Sequence, residues 1–274
     1  MPDQFATNRP LLLLVDDSPE IAFIVKRIAK KADQEIACCR TVAEAWIWLE
    51  SCLGHLASNE QEGGAAGVPD LVLLDLHLPG PSGLELCSRL RESPPWEKVP
   101  IAILSDWHRS DEIAAALETG ADYVLEKDLL CRPEEWQQRL GQILSFANGR
   151  DSESIIGLLQ DCSLPGNPEE ALATFQRALN RLATSRLGPE VIRVLLRKVL
   201  GQARANASEW NPVLLTSWLA LDGLGFDTAK VPQSLSPALA RVCWDALALK
   251  LVCVVGKDAP RLLREAVEPA SPIS

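Results

Sequence analysis

Five short apolar runs, each followed by a longer amphipathic stretch, constrain this chain more than any other feature of its sequence. The runs lie at 11–15, 36–39, 71–74, 101–104 and 123–125. Each is too short for a helix and apolar at nearly every position, the pattern of a strand buried on both faces. The stretches between them carry apolar residues at helical spacing: Ile21, Ile24, Val25 and Ile28; then Leu84, Cys87 and Leu90; then Trp136, Leu140, Ile143, Leu144 and Ala147. Strands alternating with helices predict a doubly wound α/β domain on a five-stranded parallel sheet. The glycine- and alanine-rich segment 58–69 reads as an enlarged loop before the third strand.

The pattern stops near 145–154, a polar stretch containing Gly149. The expected organisation is a first domain at 9–148, a linker at 149–154 and a mainly α-helical domain at 155–268. Helices are expected over 169–187, after Gly188-Pro189, after Asn211-Pro212, over 237–255 and over 258–267. The stretch 237–255 is apolar on most faces and predicts the most buried helix of the second domain.

Of the 274 residues, 47% are hydrophobic and 23% charged, which suits a globular chain and not a disordered one. No apolar run approaches the roughly 18 residues of a membrane helix, and no signal-peptide core is evident, so a cytoplasmic protein without membrane contact is expected. Eight scattered cysteines without a C-x-x-C pair predict reduced, buried thiols and no zinc site. The net charge of −10 arises entirely in residues 1–150, with 24 acidic and 14 basic side chains; the remainder carries 13 of each. An acidic first half disfavours nucleic-acid contact there and suits a site that gathers carboxylates around a cation.

In open α/β sheets, functional groups gather at the carboxyl ends of the strands. Here the first strand ends in Asp16-Asp17, the third in Asp75, the fourth in Ser105 and the fifth in Lys127. Three converging carboxylates repel one another and must take up protons or recruit a cation. Oxygen ligands favour Mg²⁺, which binds through one or two carboxylates plus a phosphate. One carboxylate can then attack phosphorus, while a lysine and a hydroxyl hold the transferred oxygens.

The segments V-D-D at 15–17, L-V-L-L-D-L-H-L-P-G-P-S-G-L-E-L at 71–86, I-L-S at 103–105 and G-A-D-Y-V-L-E-K at 120–127 resemble the receiver domain of bacterial two-component response regulators. The resemblance covers residues 9–148 and implies a flavodoxin-like fold. It implies Asp75 as phosphoacceptor and Mg²⁺ ligand, Asp17 as a direct Mg²⁺ ligand with Asp16 beside it, and the backbone carbonyl of His77 as a further ligand. It further implies Ser105 and Lys127 as partners of the phosphoryl oxygens, and Pro79 and Gly83 as the turn after the phosphoacceptor. The implied partner is a histidine kinase or phosphotransfer protein. Three positions depart from the family pattern. Val124 stands where the switch aromatic usually lies, with Tyr123 one residue earlier. Asp128 replaces the proline that usually follows the lysine. Asp106 follows Ser105, where a carboxylate facing the site would repel an incoming phosphoryl group.

The second domain offers no comparable motif. Gly166, Ala171, Phe175 and Ala178 resemble half of a tetratricopeptide repeat, but no second copy follows. Arg193, Arg197, Lys198 and Arg204 cluster, which keeps duplex DNA open as the alternative target. A domain without histidine cannot relay phosphate through one. By elimination, the expectation is a helical module for protein interaction or self-association. Elsewhere, Trp46 and Trp48 lie two positions apart on a helix, so one is expected in the core and the other at an edge.

Overall fold

The computed structural model describes residues 9–58, 67–105, 110–147, 159, 162–206 and 237–269. Residues 59–66 of the loop expected at 58–69, Asp106, the linker 149–154 and the helix start at Asn211-Pro212 lie outside the described residues. The chain groups by contacts into two compact units, one comprising 1–106 and 119–150, the other 107–118 and 151–274.

The first unit is built on β1 (Leu11–Val15), β2 (Glu35–Cys39), β3 (Leu71–Asp75), β4 (Ile101–Ser105) and β5 (Tyr123–Glu126). All pairings are parallel, in the order β2-β1-β3-β4-β5. This is the flavodoxin-like order, whose ligand crevice lies at the β1/β3 switch point. Every residue of β1, β3 and β4 is buried, which is why those runs are apolar throughout. Edge strand β2 is only partly covered and reads Glu-Ile-Ala-Cys-Cys. The register sets Val15 opposite Cys39 and Leu74, Asp75 opposite Leu104, and Ser105 opposite Glu126. The polar residues at the strand ends therefore line up along one edge.

Helix α1 (Pro19–Lys31) starts where Ser18 caps it: the hydroxyl accepts from the Ile21 N–H, and Pro19 takes the first turn. Val25, Ile28 and Ala29 are its buried stripe. The unit also holds α2 (Val42–Ser58), α3 (Gly83–Glu92) and α5 (Pro133–Ala147), the last anchored by the fully buried Trp136, Leu140 and Ile143. Arg91 of α3 bonds the carbonyls of Gly120, Glu97 and Val99 and the Asp122 carboxylate, joining α3 to the start of β5. Neither Trp46 nor Trp48 is in the core; both are half-buried. The Trp46 indole N–H donates to Glu50 at 2.6 Å and its ring lies under the Arg89 guanidinium at 3.8 Å. A polar edge and a stacked cation hold a half-buried tryptophan at the surface.

Helix α4 (Ser110–Thr119), apart from its last residue, groups with the second unit. That unit also contains α6 (Pro168–Thr184), α7 (Gly188–Asn206), α8 (Pro237–Val255) and α9 (Ala259–Val267). Asn167 caps α6, accepting from the N–H groups of Glu169 and Glu170. The helix ends at Thr184, three residues short of the expected 187. The Ser185 hydroxyl binds Leu182 O and accepts from Leu187 N–H, and its carbonyl accepts from Gly188, so a local turn replaces another helical turn. Gly188 lies at φ +76°, a conformation a side chain would oppose. The core of this unit is a T-shaped contact between Phe175 and Trp244, 6.2 Å between centroids. Ala171, Ala178, Leu179, Leu247 and Leu251 are also fully buried in this unit. The Trp244 indole donates to Cys162 O at 2.7 Å. Arg181 bonds the carbonyls of Glu265, Ala266 and Glu268, closing α9 onto α6. As expected, α8 is mostly buried. No helix among the described residues is long and apolar enough to cross a membrane.

Candidate functional site

The residues flagged at the ends of β1, β3 and β5 converge. Asp16 and Asp75 are 1% and 4% exposed, and Asp17 is half-buried. One carboxylate oxygen from each of Asp16, Asp17 and Asp75 lies within 4.8 Å of the others. Lys127, the first residue after β5, donates to Asp75 Oδ2 at 2.7 Å and stands 3.6 Å from Asp16 Oδ2. The His77 N–H donates to Asp75 Oδ1 at 3.2 Å, and its imidazole, 58% exposed, holds Nδ1 3.9 Å from the same oxygen. Ser105 is buried at the end of β4.

Each carboxylate is fixed by local structure. The Asp16 N–H binds Cys39 O, and its Oδ1 accepts from the Ser18 N–H at 2.9 Å. The capping turn of α1 thus also aims Asp16. Behind Asp75, the Gly83 N–H donates to Leu76 O, and a Cβ on Gly83 would stand 2.1 Å from Asp75 O. Only glycine lets α3 approach the β3 end this closely, which accounts for the glycine flagged in the sequence.

The electrostatics favour a cation. Burial pushes the Asp16 carboxyl above its ordinary value; the charges of Asp75 and Asp17 add to the rise, and the Ser18 N–H and Lys127 oppose it. Asp16 Oδ2 is buried without a hydrogen-bond donor. One lysine faces three carboxylates, so the cluster has spare negative charge and a bare oxygen, the donor set a hard divalent cation completes. Once the charge is balanced, an Asp75 oxygen can act as nucleophile toward an electrophilic phosphorus.

At the departures noted in the sequence, Val124 and Tyr123 are both buried in β5, and Asp128 lies exposed on the 3₁₀ turn that begins at Lys127. The functional strand ends read from the sequence belong to β1, β3, β4 and β5. At the fifth, β2, Arg40 follows Cys39 and its guanidinium donates to Asp17 O at 3.5 Å. The same rule applied to β2 would have found it.

A family model described as the response regulator receiver domain matches residues 12–140. The chain is 34% identical over 128 residues to the phosphate regulon transcriptional regulatory protein PhoB of Rhizobium meliloti, across 47% of this chain and 52% of that protein. It is 36% identical over 139 residues to the PhoB of Pseudomonas aeruginosa, across 47% of this chain and 60% of that one. It thus spans between half and two thirds of the length of these curated relatives. A crystal structure of a response regulator from Chloroflexus aurantiacus J-10-fl aligns over 50% of this chain and 98% of that one, at 26% identity and a TM-score of 0.42.

Proposed function

Since residues 12–140 are a response regulator receiver domain of two-component signalling, we propose that the chain accepts a phosphoryl group on Asp75 in the presence of Mg²⁺ and passes the signal to its helical domain. The observation that carries this reading is the Lys127–Asp75 bond of 2.7 Å within a cluster of three carboxylates. In the reaction an Asp75 oxygen attacks phosphorus, the bond from phosphorus to the donor's leaving atom breaks, and the leaving group keeps the electron pair. Asp16, Asp17, Asp75 and the His77 carbonyl are the residues that would hold Mg²⁺, which would neutralise charge between the carboxylates and the phosphoryl oxygens. Lys127 and Ser105 bind those oxygens. The donor is a histidine kinase or phosphotransfer protein of the cytoplasm. The protein is a phosphoacceptor and not an enzyme acting on a separate substrate.

We take the receiver as 9–148 and the helical domain as 155–268. Helix α4 supports a route between chemistry and output. It follows the Ser105 strand end, and within the second unit Arg197 of α7 pairs with Glu118 at 2.5 Å. Output through protein contact or self-association is supported by two of the four basic residues flagged in the sequence. Arg193 pairs with Glu190 at 2.8 Å and Arg197 with Glu118, so neither offers an uncommitted charge to phosphate. DNA binding remains the alternative, favoured by the transcriptional relatives alone.

Incubation with acetyl phosphate and Mg²⁺ should add one acid-stable, base-labile phosphoryl group, and Asp75→Ala should abolish it. Labelling that persists in Asp75→Ala would remove Asp75 from this role. Hydrogen exchange with and without a fluoroberyllate mimic should change protection in 110–119 and in 162–206. Changes confined to the loops at Asp17 and Asp75 would refute the output route.

A further inference from the structure

The row of strand ends carries a cation on each flank, and the two are differently employed. On the β5 side, Lys127 is engaged with Asp75 and Asp16. On the β2 side, Arg40 is exposed and its guanidinium makes one bond, to Asp17 O at 3.5 Å, near the outer limit for such a bond. Among the described residues no carboxylate pairs with it. A guanidinium has five N–H donors, so four remain available at the rim of the carboxylate cluster.

Its backbone is set in place by the elements beside it. The Arg40 N–H donates to Glu44 Oε2 at 2.7 Å, and the Glu44 N–H donates to the Thr41 hydroxyl at 3.1 Å, a capping arrangement at the start of α2. One residue earlier, Cys39 O accepts from the Asp16 N–H at 3.1 Å. Arg40 is thus tied by its neighbours both to a helix start and to the carboxylate that begins the site.

We infer that Arg40 is a specificity-determining residue for the phosphodonor, binding an anionic leaving group as it departs. This rests on Asp75 being the phosphoacceptor. In an in-line displacement the leaving atom lies on the far side of phosphorus from the attacking oxygen, toward solvent. Lys127 and Ser105 serve the transferred oxygens, whereas the donors of Arg40 are at the exposed rim. For an acyl phosphate donor, Asp75 forms the new O–P bond, the acyl O–P bond breaks, and the electron pair leaves on a carboxylate that Arg40 can bind through two parallel N–H groups. For phosphoramidate, the P–N bond breaks and, with a proton from solvent, neutral ammonia departs, so Arg40 has no anion to hold.

The test compares phosphorylation of the full chain by acetyl phosphate and by phosphoramidate, in wild type, Arg40→Ala and Arg40→Lys, with Mg²⁺ affinity measured in each. Arg40→Ala should lower the second-order rate constant with acetyl phosphate about tenfold, the loss expected for one charge-assisted contact, and leave phosphoramidate unchanged. Arg40→Lys should recover part of the loss, since it keeps the charge but not the paired donors. An equal loss with both donors, no loss with either, or a fall in Mg²⁺ affinity that accounts for the loss would overturn the inference; the last would make Arg40 a support for Asp17. Failure of wild type to be labelled at Asp75 by either donor would instead overturn the reading of Asp75 itself.

Discussion

Replacing Gly83 with alanine should damage the proposed phosphoacceptor through a single methyl group. The added Cβ would stand 2.1 Å from Asp75 O, 2.9 Å from Leu76 Cα and 3.0 Å from the Asp75 carbonyl carbon. A carbon and a carbonyl oxygen need about 3.3 Å, so α3 and the end of β3 must part by more than about 1 Å. Both neighbours are backbone and cannot rotate away. Overpacking of this kind costs about 1–3 kcal/mol, which lowers the melting temperature by roughly 3–10 °C for a domain of this size. If part of the movement falls on Asp75, its oxygens leave the positions set by Lys127 and the His77 N–H. A displacement near 1 Å costs on the order of 10²-fold in rate. Phosphorylation of Gly83→Ala by acetyl phosphate should therefore be about 10–100-fold slower than wild type. Gly141 in α5 is the matched control, because a Cβ there meets nothing within 4 Å. Gly141→Ala should raise stability by about 0.5–1 kcal/mol through helix propensity and leave the rate unchanged. The reasoning is refuted if Gly83→Ala melts at or above the wild-type temperature and labels at the wild-type rate.

Two further outcomes follow from the site and its frame. The raised Asp16 pKa means that, without metal, the folded state holds the proton more tightly than the unfolded state; stability contributed below the ordinary value of 3.8 is then lost as pH rises through the raised value. Metal-free Asp16→Asn should lack that decline in urea titrations across pH, and stabilisation of wild type by Mg²⁺ should grow over the same window; a wild-type profile identical to that of Asp16→Asn contradicts the assignment. Arg91→Ala removes bonds to three carbonyls and to Asp122 and should cost about 2–3 kcal/mol, measured by chemical denaturation, with a loss under 0.5 kcal/mol counting against a structural hub.

The sequence by itself determined the five strands, their parallel arrangement and most of the site. Apolar runs such as Leu-Leu-Leu-Leu-Val are stable only when both faces are covered, and the period of the intervening helices is a local property of the chain. The carboxyl-end rule then collects Asp16, Asp17, Asp75, Ser105 and Lys127 without coordinates, because strand ends in a parallel sheet lie on one side. The helix expected over 169–187 ends at Thr184 because local hydrogen bonding intervenes at Ser185. What only the tertiary structure decided depends on contacts between residues far apart in the chain. Trp46 stays at the surface because Arg89, on another helix, stacks on it. Gly83 is obligatory because a backbone carbonyl eight residues earlier fills the space of its Cβ. Helix α4, apart from its last residue, groups with the second unit, where Glu118 meets Arg197, 79 residues away in the chain. Arg40 reaches the acidic site because β2 lies beside β1. Periodicity records which face of an element is buried, but it does not record which polar atom on a distant segment will meet it, and that partner sets the geometry of the site.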